Sequence, residues 1–293
     1  QIGPRSKCEC GRPGIYTQEV SVCESCKTPS EDFEVNELSK CDILFALIGR
    51  LLFPVNVLDK WQIMLFIKGI PNTGKSILLE IIARFYAEGR VGFLSSTTEG
   101  TFGLETLYLK DLVQIKDVAK DLRLSAEDLQ CMISGEGVSV SRKHKQAISD
   151  REWRVPMMAA GNHMLSYPDK EGALGRRIPV FEFNKSIEIR NTSLKEAIIK
   201  NELVPFLVLC LRMYKVLRGR VGTDDIWDHL PDSLKKYYFS KNVSILLRKF
   251  LDESSVRRDG EFFSYEKFEE LFRNFAREKY QLDVSVVDSV LKV

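Results

Sequence analysis

Between residues 62 and 183 the chain repeats one pattern: a short continuous apolar run, a polar or glycine-bearing break, and in places a stretch with helical spacing. Uninterrupted apolar runs bounded by breakers read as buried strands, and apolar positions recurring every three or four residues read as amphipathic helices. On that basis strands are expected at 62–68, 90–95, 111–118, 155–164 and 178–183, and helices at 75–86 and over AEDLQCMIS. Ser125 with Asp128 gives the second helix a capping-box start. Gly89 and Gly92 break the first helix, and TTEGTFGLETL reads as a connection with one helical turn. Alternation on both sides of RKHK predicts a β-hairpin carrying Arg142, Lys143, His144 and Lys145 at its tip.

The flanks differ in rhythm. CDILFALIGRLLF, residues 41–53, reads as a buried helix ending near Pro54, and Trp61 leads into the first strand. After residue 190 the strand rhythm gives way to helical spacing. One or two helices are expected over 193–219, a mixed linker or helix pair over DDIWDHLPDSLKKYYF, and further helices over NVSILLRKFLDE and YEKFEELFRNFAREKY. In the last of these Phe268, Leu271, Phe272 and Phe275 share one face at i, i+3, i+4 and i+7, which makes them core. The resulting division is an N-terminal knuckle at 1–30, a helical linker or collar at 31–60, a strand-bearing core at 61–190, a helical bridge at 191–240, and a helical or winged-helix-like domain at 241–293.

The stretch FIKGIPNTGKSILLEIIARF, residues 66–85, gives the core its expected chemistry. Gly69, Gly74, Lys75 and Ser76 fit G-x-x-x-x-G-K-[ST], set between a strand and a helix as a phosphate loop requires. Backbone N–H groups must turn inward to cradle a triphosphate, and glycine permits that approach. Lys75 would reach the β and γ phosphates and Ser76 would hold Mg²⁺, with a helix N-terminus facing the anion. Downstream, DLVQIKDV is an apolar strand ending in acid, which is where a water-activating and Mg²⁺-organising carboxylate belongs. Asp117 is the candidate, with a simple strand-end cap as the alternative. Asn162 ends the 155–164 strand, where an amide either orients the attacking water or makes a turn bond. Arg176 and Arg177 precede the last strand, as surface charges or as donors to a neighbouring subunit's nucleotide. The RKHK cluster is either a solvated turn or a grip on nucleic-acid phosphates.

Composition narrows the surroundings. A hydrophobic fraction of 44% and a charged fraction of 29% are those of a soluble globular protein, and no apolar run approaches a membrane span. A net charge of +2 does not imply nucleic acid, so any basic surface must be local. Four of the seven cysteines, Cys8, Cys10, Cys23 and Cys26, fall in the first 26 residues as C-x-C, twelve residues, then C-x₂-C. Two close pairs on separate turns suit a tetrahedral structural Zn²⁺, although Cys23–Cys26 also has the spacing of a redox pair. Cys41, Cys131 and Cys210 are isolated in apolar stretches, which argues for a reducing compartment rather than a disulfide framework. The chain begins with Gln, so it is expected to be a piece of a longer protein.

With these residues placed, 40–185 resembles the superfamily 3 helicases, AAA+-like ring ATPases of DNA viruses, whose phosphate loop reads G-x-x-N-T-G-K-S as GIPNTGKS does here. SRKHK at 141–145 and VFEF at 180–183 are similar to stretches of the papillomavirus replicative helicase, and the tail resembles poxvirus-type primase-helicases. The resemblance implies an α/β fold with a central parallel sheet and a β-hairpin insertion. It also implies ATP and Mg²⁺ as cofactors, a homo-oligomeric, hexameric ring, single-stranded or forked DNA as partner, and a primase preceding the helicase part. No membrane is involved, and the expected location is the host cytoplasm. By this resemblance Lys75 and Ser76 hold phosphate and Mg²⁺, Asn72 and Thr73 shape the loop, and Asn162 is the sensor. Arg177 is the arginine finger, and Lys143 and His144 line a central channel. One position departs: the family's paired acids are Lys116–Asp117 here, and a lysine cannot coordinate Mg²⁺. Either Asp117 serves with Asp111 or Asp121 assisting, or hydrolysis is weakened. An ATP-dependent initiator or assembly module with little unwinding, and a different phosphate-loop enzyme such as a kinase or packaging motor, are the alternatives.

Overall fold

The computed structural model describes residues 38–94, 103–116, 124–140, 148–165, 167, 173–189, 191–241, 243–254 and 264–282. Seven strands and ten helices lie among them. Five strands, β1 (Leu65–Gly69), β2 (Val91–Leu94), β3 (Leu112–Lys116), β6 (Met157–Gly161) and β7 (Val180–Phe183), form one parallel sheet in the order β2-β3-β6-β1-β7. β4 (Gly137–Val140) and β5 (Ile148–Glu152) pair antiparallel as a separate hairpin with an irregular register between Val138 and Val140. The expected helices are present as α1 (Lys40–Arg50), α2 (Lys75–Ala83), α3 (Gly103–Tyr108) and α4 (Ala126–Ser134). They are followed by α5 (Leu194–Asn201), α6 (Leu203–Val221), α7 (Ile226–His229), α8 (Asp232–Lys241), α9 (Val243–Ser254) and α10 (Tyr265–Tyr280).

The continuous apolar strands follow from a sheet covered on both faces, since alternate side chains point opposite ways and both directions lead into core. Leu65, Ile67, Leu112, Met158, Ala160 and Phe181 face the layer built from α1, α2 and α6. Met64, Phe66, Val113, Ile115, Met157, Ala159 and Val180 face the other layer, which holds α3, α4 and the hairpin base. Trp153 lies there, fully buried, its indole N–H donating to the carbonyl of Val155 at 2.7 Å. The hairpin is thereby rooted in the core immediately before β6.

Helices α1 and α6 pack closely because Gly49 lies against the Cys210 carbonyl; a Cβ at Gly49 would sit 2.2 Å from that oxygen. Cys210 is fully buried beside it, and burial pushes its thiol pKa up to about 12. At pH 8 the native protein therefore offers no thiolate there, whereas Cys41 is exposed, a correction to the apolar setting expected for it. Iodoacetamide followed by peptide mass mapping should label Cys41 in the folded protein and Cys210 only after denaturation.

The C-terminal helices carry their own cluster of Phe239, Leu246, Phe250, Phe272, Ala276, Tyr280 and Leu282. Phe268 and Phe275 pack against it, but Leu271 is 37% exposed, so the buried stripe runs through Phe272 and Ala276. Among the described residues this region is helical, and the apolar tail at 283–293 lies outside them. No helix among the described residues is long and apolar enough to cross a membrane.

Candidate nucleotide site

In a parallel sheet the loops after the strands gather at the carboxyl edge, where ligands of open α/β sheets bind. β1 ends at Gly69 against the last residue of β7; a Cβ on Gly69 would lie 2.1 Å from the Phe183 carbonyl oxygen. The chain then turns through Asn72 at φ 62° and Gly74 at φ 87°, left-handed conformations that glycine and asparagine tolerate. α2 begins at Lys75 with no side-chain cap at Gly74, so its N-terminal turn presents backbone N–H groups to the loop's interior. The Ile187 N–H, just past β7, donates to the Asn72 carbonyl at 2.9 Å and ties the loop's outer side to the body.

Lys75 is buried, 8% exposed, and folded into the loop it follows. Its ammonium donates to the carbonyls of Gly69 at 2.8 Å and Ile70 at 2.6 Å and lies 3.4 Å from the Thr73 hydroxyl. Thr73 in turn donates to the Ile70 carbonyl at 3.0 Å. The positive charge is thus held inside the arc formed by residues 69–75. A small cavity of about 40 Å³ opens beside it, lined by Lys75, Ser76, Leu79, Lys116 and Ala160. Lys116 ends β3 and its ammonium lies 4.3 Å from the centre of the Phe93 ring.

β6 runs between the phosphate-loop strand β1 and β3, so its end falls between them. Asn162 follows it directly and is exposed. Asp117, the proposed partner carboxylate, and Asp121 lie outside the described residues. Asp111, expected to assist Asp117, instead precedes β3 at the sheet's opposite edge, roughly 16 Å from the carboxyl end at about 3.3 Å per residue. There it accepts from Arg90 Nε at 2.7 Å, and that hydrogen bond holds its carboxyl below the usual range.

Two further placements were not evident from the residues alone. Gln114, a lone polar residue in an apolar strand, is fully buried and donates through Nε2 to the Leu79 carbonyl at 2.9 Å, binding β3 to α2. Its Oε1 has no hydrogen-bond partner among the described residues. Arg177 is 7% exposed, with Nε donating to Ser134 Oγ at 2.9 Å and the other nitrogens to the Ala173 carbonyl at 2.7 Å and Gln62 Oε1 at 3.3 Å. Its neighbour Arg176 is exposed, while the Arg176 carbonyl accepts from the Trp227 indole at 2.7 Å.

The hairpin strands β4 and β5 are observed, but Arg142, Lys143, His144 and Lys145 lie outside the described residues, as do Cys8, Cys10, Cys23 and Cys26. Among the described residues no group of three or more His, Cys, Asp or Glu could hold a metal. The cavity lining offers one hydroxyl, Ser76, and two ammonium groups. Among the described residues that lining supplies the Ser76 hydroxyl and no carboxylate for a Mg²⁺ ion.

The sheet order and the loop define a phosphate-loop α/β domain. A family model described as "Family of unknown function (DUF5906)" matches residues 67–177, from β1 through the hairpin to Arg177. No curated protein matches the chain. Among solved structures, an apo C-terminal region of NrS-1 is similar at 15% identity and a TM-score of 0.46, covering 86% of this chain and 63% of that one. Another form of the same region gives 14% identity and 0.43, covering 86% and 62%. JCV helicase with a bound small molecule gives 14% and 0.39, covering 71% and 62%. This chain thus spans 62–63% of the length of these structures.

Proposed function

We propose that the chain is an ATP-dependent DNA helicase subunit acting in viral genome replication, binding ATP in the phosphate loop and moving single-stranded DNA with the β4–β5 hairpin. The observation that carries this reading is connectivity. The hairpin leaves the chain after β3 and α4, is rooted by Trp153, and feeds directly into β6, which ends beside the loop at Asn162. A change in the phosphates sensed at Asn162 therefore has a short rigid route, through one five-residue strand, to the hairpin. Lysine and arginine at residues 142–145 supply the charge that a phosphate backbone requires.

In this reading Lys75 and the N-terminus of α2 hold the triphosphate, Asn72 and Thr73 set the loop's shape, and Asn162 orients the water that Asp117 activates. The Ser76 hydroxyl and Asp117 would hold Mg²⁺, which when bound would supply neutralisation of the phosphate charge. Copies assemble as a hexameric ring, so that the Arg176–Arg177 pair serves a neighbour's nucleotide. Arg177, which takes the finger position by resemblance, must exchange three hydrogen bonds to reach that phosphate, whereas Arg176 already lies at the surface. Cys8, Cys10, Cys23 and Cys26 hold a structural zinc, the C-terminal helices belong to a winged-helix-like unit, and a primase accompanies the motor. The setting is the reducing host cytoplasm.

The test is strand displacement on forked DNA with the assembled protein. Wild type should separate strands only with ATP, and the double variant Lys143→Ala, His144→Ala should lose at least about tenfold in rate. Its single-stranded DNA affinity should also show a shallower salt dependence, by about 0.7 in log–log slope for each phosphate contact removed. ATPase stimulated by DNA with no displacement at any fork geometry would instead establish the initiator or assembly module. A protein that stays monomeric with ATP and DNA would point to a different phosphate-loop enzyme.

A further inference from the structure

We propose that Trp227 is a positioning residue for the arginine turn Gly175–Arg177, and that through it the C-terminal helices govern hydrolysis in the adjacent subunit. The inference rests on the reading that this turn serves a neighbour's nucleotide, and adds what holds the turn in place. The turn lies three residues before the edge strand β7. Its arginines differ: Arg177 is buried against Ser134, Ala173 and Gln62, whereas the Arg176 side chain is exposed. A long exposed side chain on a three-residue turn loses much freedom on reaching a phosphate, so one that acts across an interface is best fixed at its backbone.

That fixing contact comes from α7. The Trp227 indole N–H donates to the Arg176 carbonyl at 2.7 Å. The bond is made to the peptide between the two arginines, so it sets the direction in which both side chains leave the turn. Trp227 is itself held. It is 6% exposed, its backbone N–H donates to the Asp225 side chain at 3.0 Å, and its ring stacks on Tyr238 of α8 at 4.4 Å between centres and 15° between planes. The Arg176 charge lies close enough to Tyr238 to oppose the rise that burial gives the phenol's pKa, which puts the guanidinium on the α8 side of the turn.

The support reaches further than one side chain. α8 packs against the arginine turn and against β7. From Tyr238 the ring contacts continue to Phe239 at 5.2 Å and on to Tyr280 of α10 at 4.6 Å. Phe239 and Tyr280 belong to the core of the C-terminal helices. Close-packed rings transmit a displacement rather than absorb it, so the arginine turn follows the seating of α8 and α10. A buried indole takes a hydrogen-bond partner wherever it lies, and the bond by itself also suits a packing role. What separates positioning from packing is which subunit's nucleotide feels its loss.

The experiment is ATP hydrolysis by rings assembled from one kind of subunit or from two. Trp227→Phe keeps a ring on Tyr238 and deletes the N–H. Alone it should bind ATP within about threefold of wild type yet hydrolyse it at least about tenfold more slowly, because misplacing a reacting group costs turnover rather than binding. Lys75→Ala loses its own nucleotide but keeps Trp227 and both arginines. In a 1:1 mixture about a quarter of the interfaces join a competent Trp227→Phe nucleotide site to an intact arginine turn. The rate should therefore recover to about a quarter of wild type, against about a twentieth if the defect lay within the subunit. Arg176→Ala mixed with Lys75→Ala is the reference pair and should recover to the same extent. Tyr238→Leu, which removes the stack and keeps the donor, should lose about threefold and recover in the same mixture, so the result does not hang on one variant. The proposal is overturned if Trp227→Phe hydrolyses ATP at the wild-type rate, or if its loss does not recover where the reference pair's does. Failure of the reference pair would overturn the neighbour-serving reading of the arginines and the proposal with it. A wild type without ATPase activity would overturn the motor reading itself.

Discussion

Lys75→Ala is expected to remove measurable nucleotide binding, with an affinity loss on the order of 100-fold while the fold is retained. The ammonium's present partners explain both halves of that expectation. It donates to the Gly69 and Ile70 carbonyls, which are backbone acceptors at the end of β1 and the start of the turn, and it is almost shielded from water. A charged group hydrogen-bonded in that setting contributes roughly 1.5–3 kcal/mol to whichever state uses it, which corresponds to about 10- to 150-fold in affinity. Phosphate oxygens arriving in the arc would take over donors already aimed inward, so little side-chain entropy is lost on binding. The two carbonyls freed by the substitution lie at an open loop where water reaches Ile70, which keeps the stability cost near 1 kcal/mol. Lys75→Arg should fail nearly as badly, because a planar guanidinium does not fit a pocket shaped by the 69–75 turn. Calorimetric titration with ATP, beside a thermal melt of each variant, checks both statements. Retention of wild-type affinity by Lys75→Ala would remove the loop from the nucleotide site.

What made the loop legible is that its chemistry is local. Strand, turn glycines, lysine and helix are contiguous from Phe66 to Phe85, and each conformational demand falls on the residue that must meet it, as Gly74 at φ 87° illustrates. The strands were legible for a related reason, since burial on both faces leaves runs such as Leu112–Ile115 with a single polar interruption. The hairpin was visible as two alternating segments around a charged turn, and its strands β4 and β5 pair as expected.

Non-local facts had no such signature. Asp111 and Lys116 are five residues apart and equally polar, yet the strand between them carries one to the amino edge with Arg90 and the other to the nucleotide edge. Only the direction of the parallel sheet separates the two roles. Arg176 and Arg177 are adjacent and alike in charge, but a 3₁₀ turn at Gly175–Arg177 directs one outward and the other towards Ser134 and Gln62, partners 43 and 115 residues away in sequence. Gln114 reads as a flaw in an apolar strand until the Leu79 carbonyl is found opposite it. Leu271 shows the same limit on a helix: the i, i+3, i+4 spacing places it near the stripe, and the width of the facing surface leaves it at the margin.

Arg50→Met is expected to destabilise the protein by about 3–5 kcal/mol, the largest effect of any single substitution outside the nucleotide site. Arg50 closes the last turn of α1 and points beneath the start of β1. Its Nε lies 3.0 Å from one oxygen of Asp59 and 3.1 Å from the other, and its remaining nitrogens donate to the carbonyls of Ile63, at 3.1 Å, and Trp61. Asp59 also accepts from the Trp61 N–H at 2.9 Å and from the Tyr214 hydroxyl of α6, whose pKa is raised by burial and by the carboxylate beside it. The side chains are 9% and 5% exposed, so removing the guanidinium strands a carboxylate in the interior and orphans two carbonyls that water cannot reach. Because native domains are stable by only about 5–15 kcal/mol, such a loss should move the urea midpoint markedly. The companion variant distinguishes a costly orphan from a lost attraction: Arg50→Met with Asp59→Leu should be more stable than Arg50→Met alone, since the double change removes the buried charge altogether. Equal midpoints for wild type and Arg50→Met would show that the cluster does not hold α1 to the sheet. The network ends two residues before β1, at the Ile63 carbonyl, so loosening it should also weaken ATP binding without any change in the residues that touch phosphate. The same titration used for Lys75 measures that coupling between the collar helix and the phosphate loop.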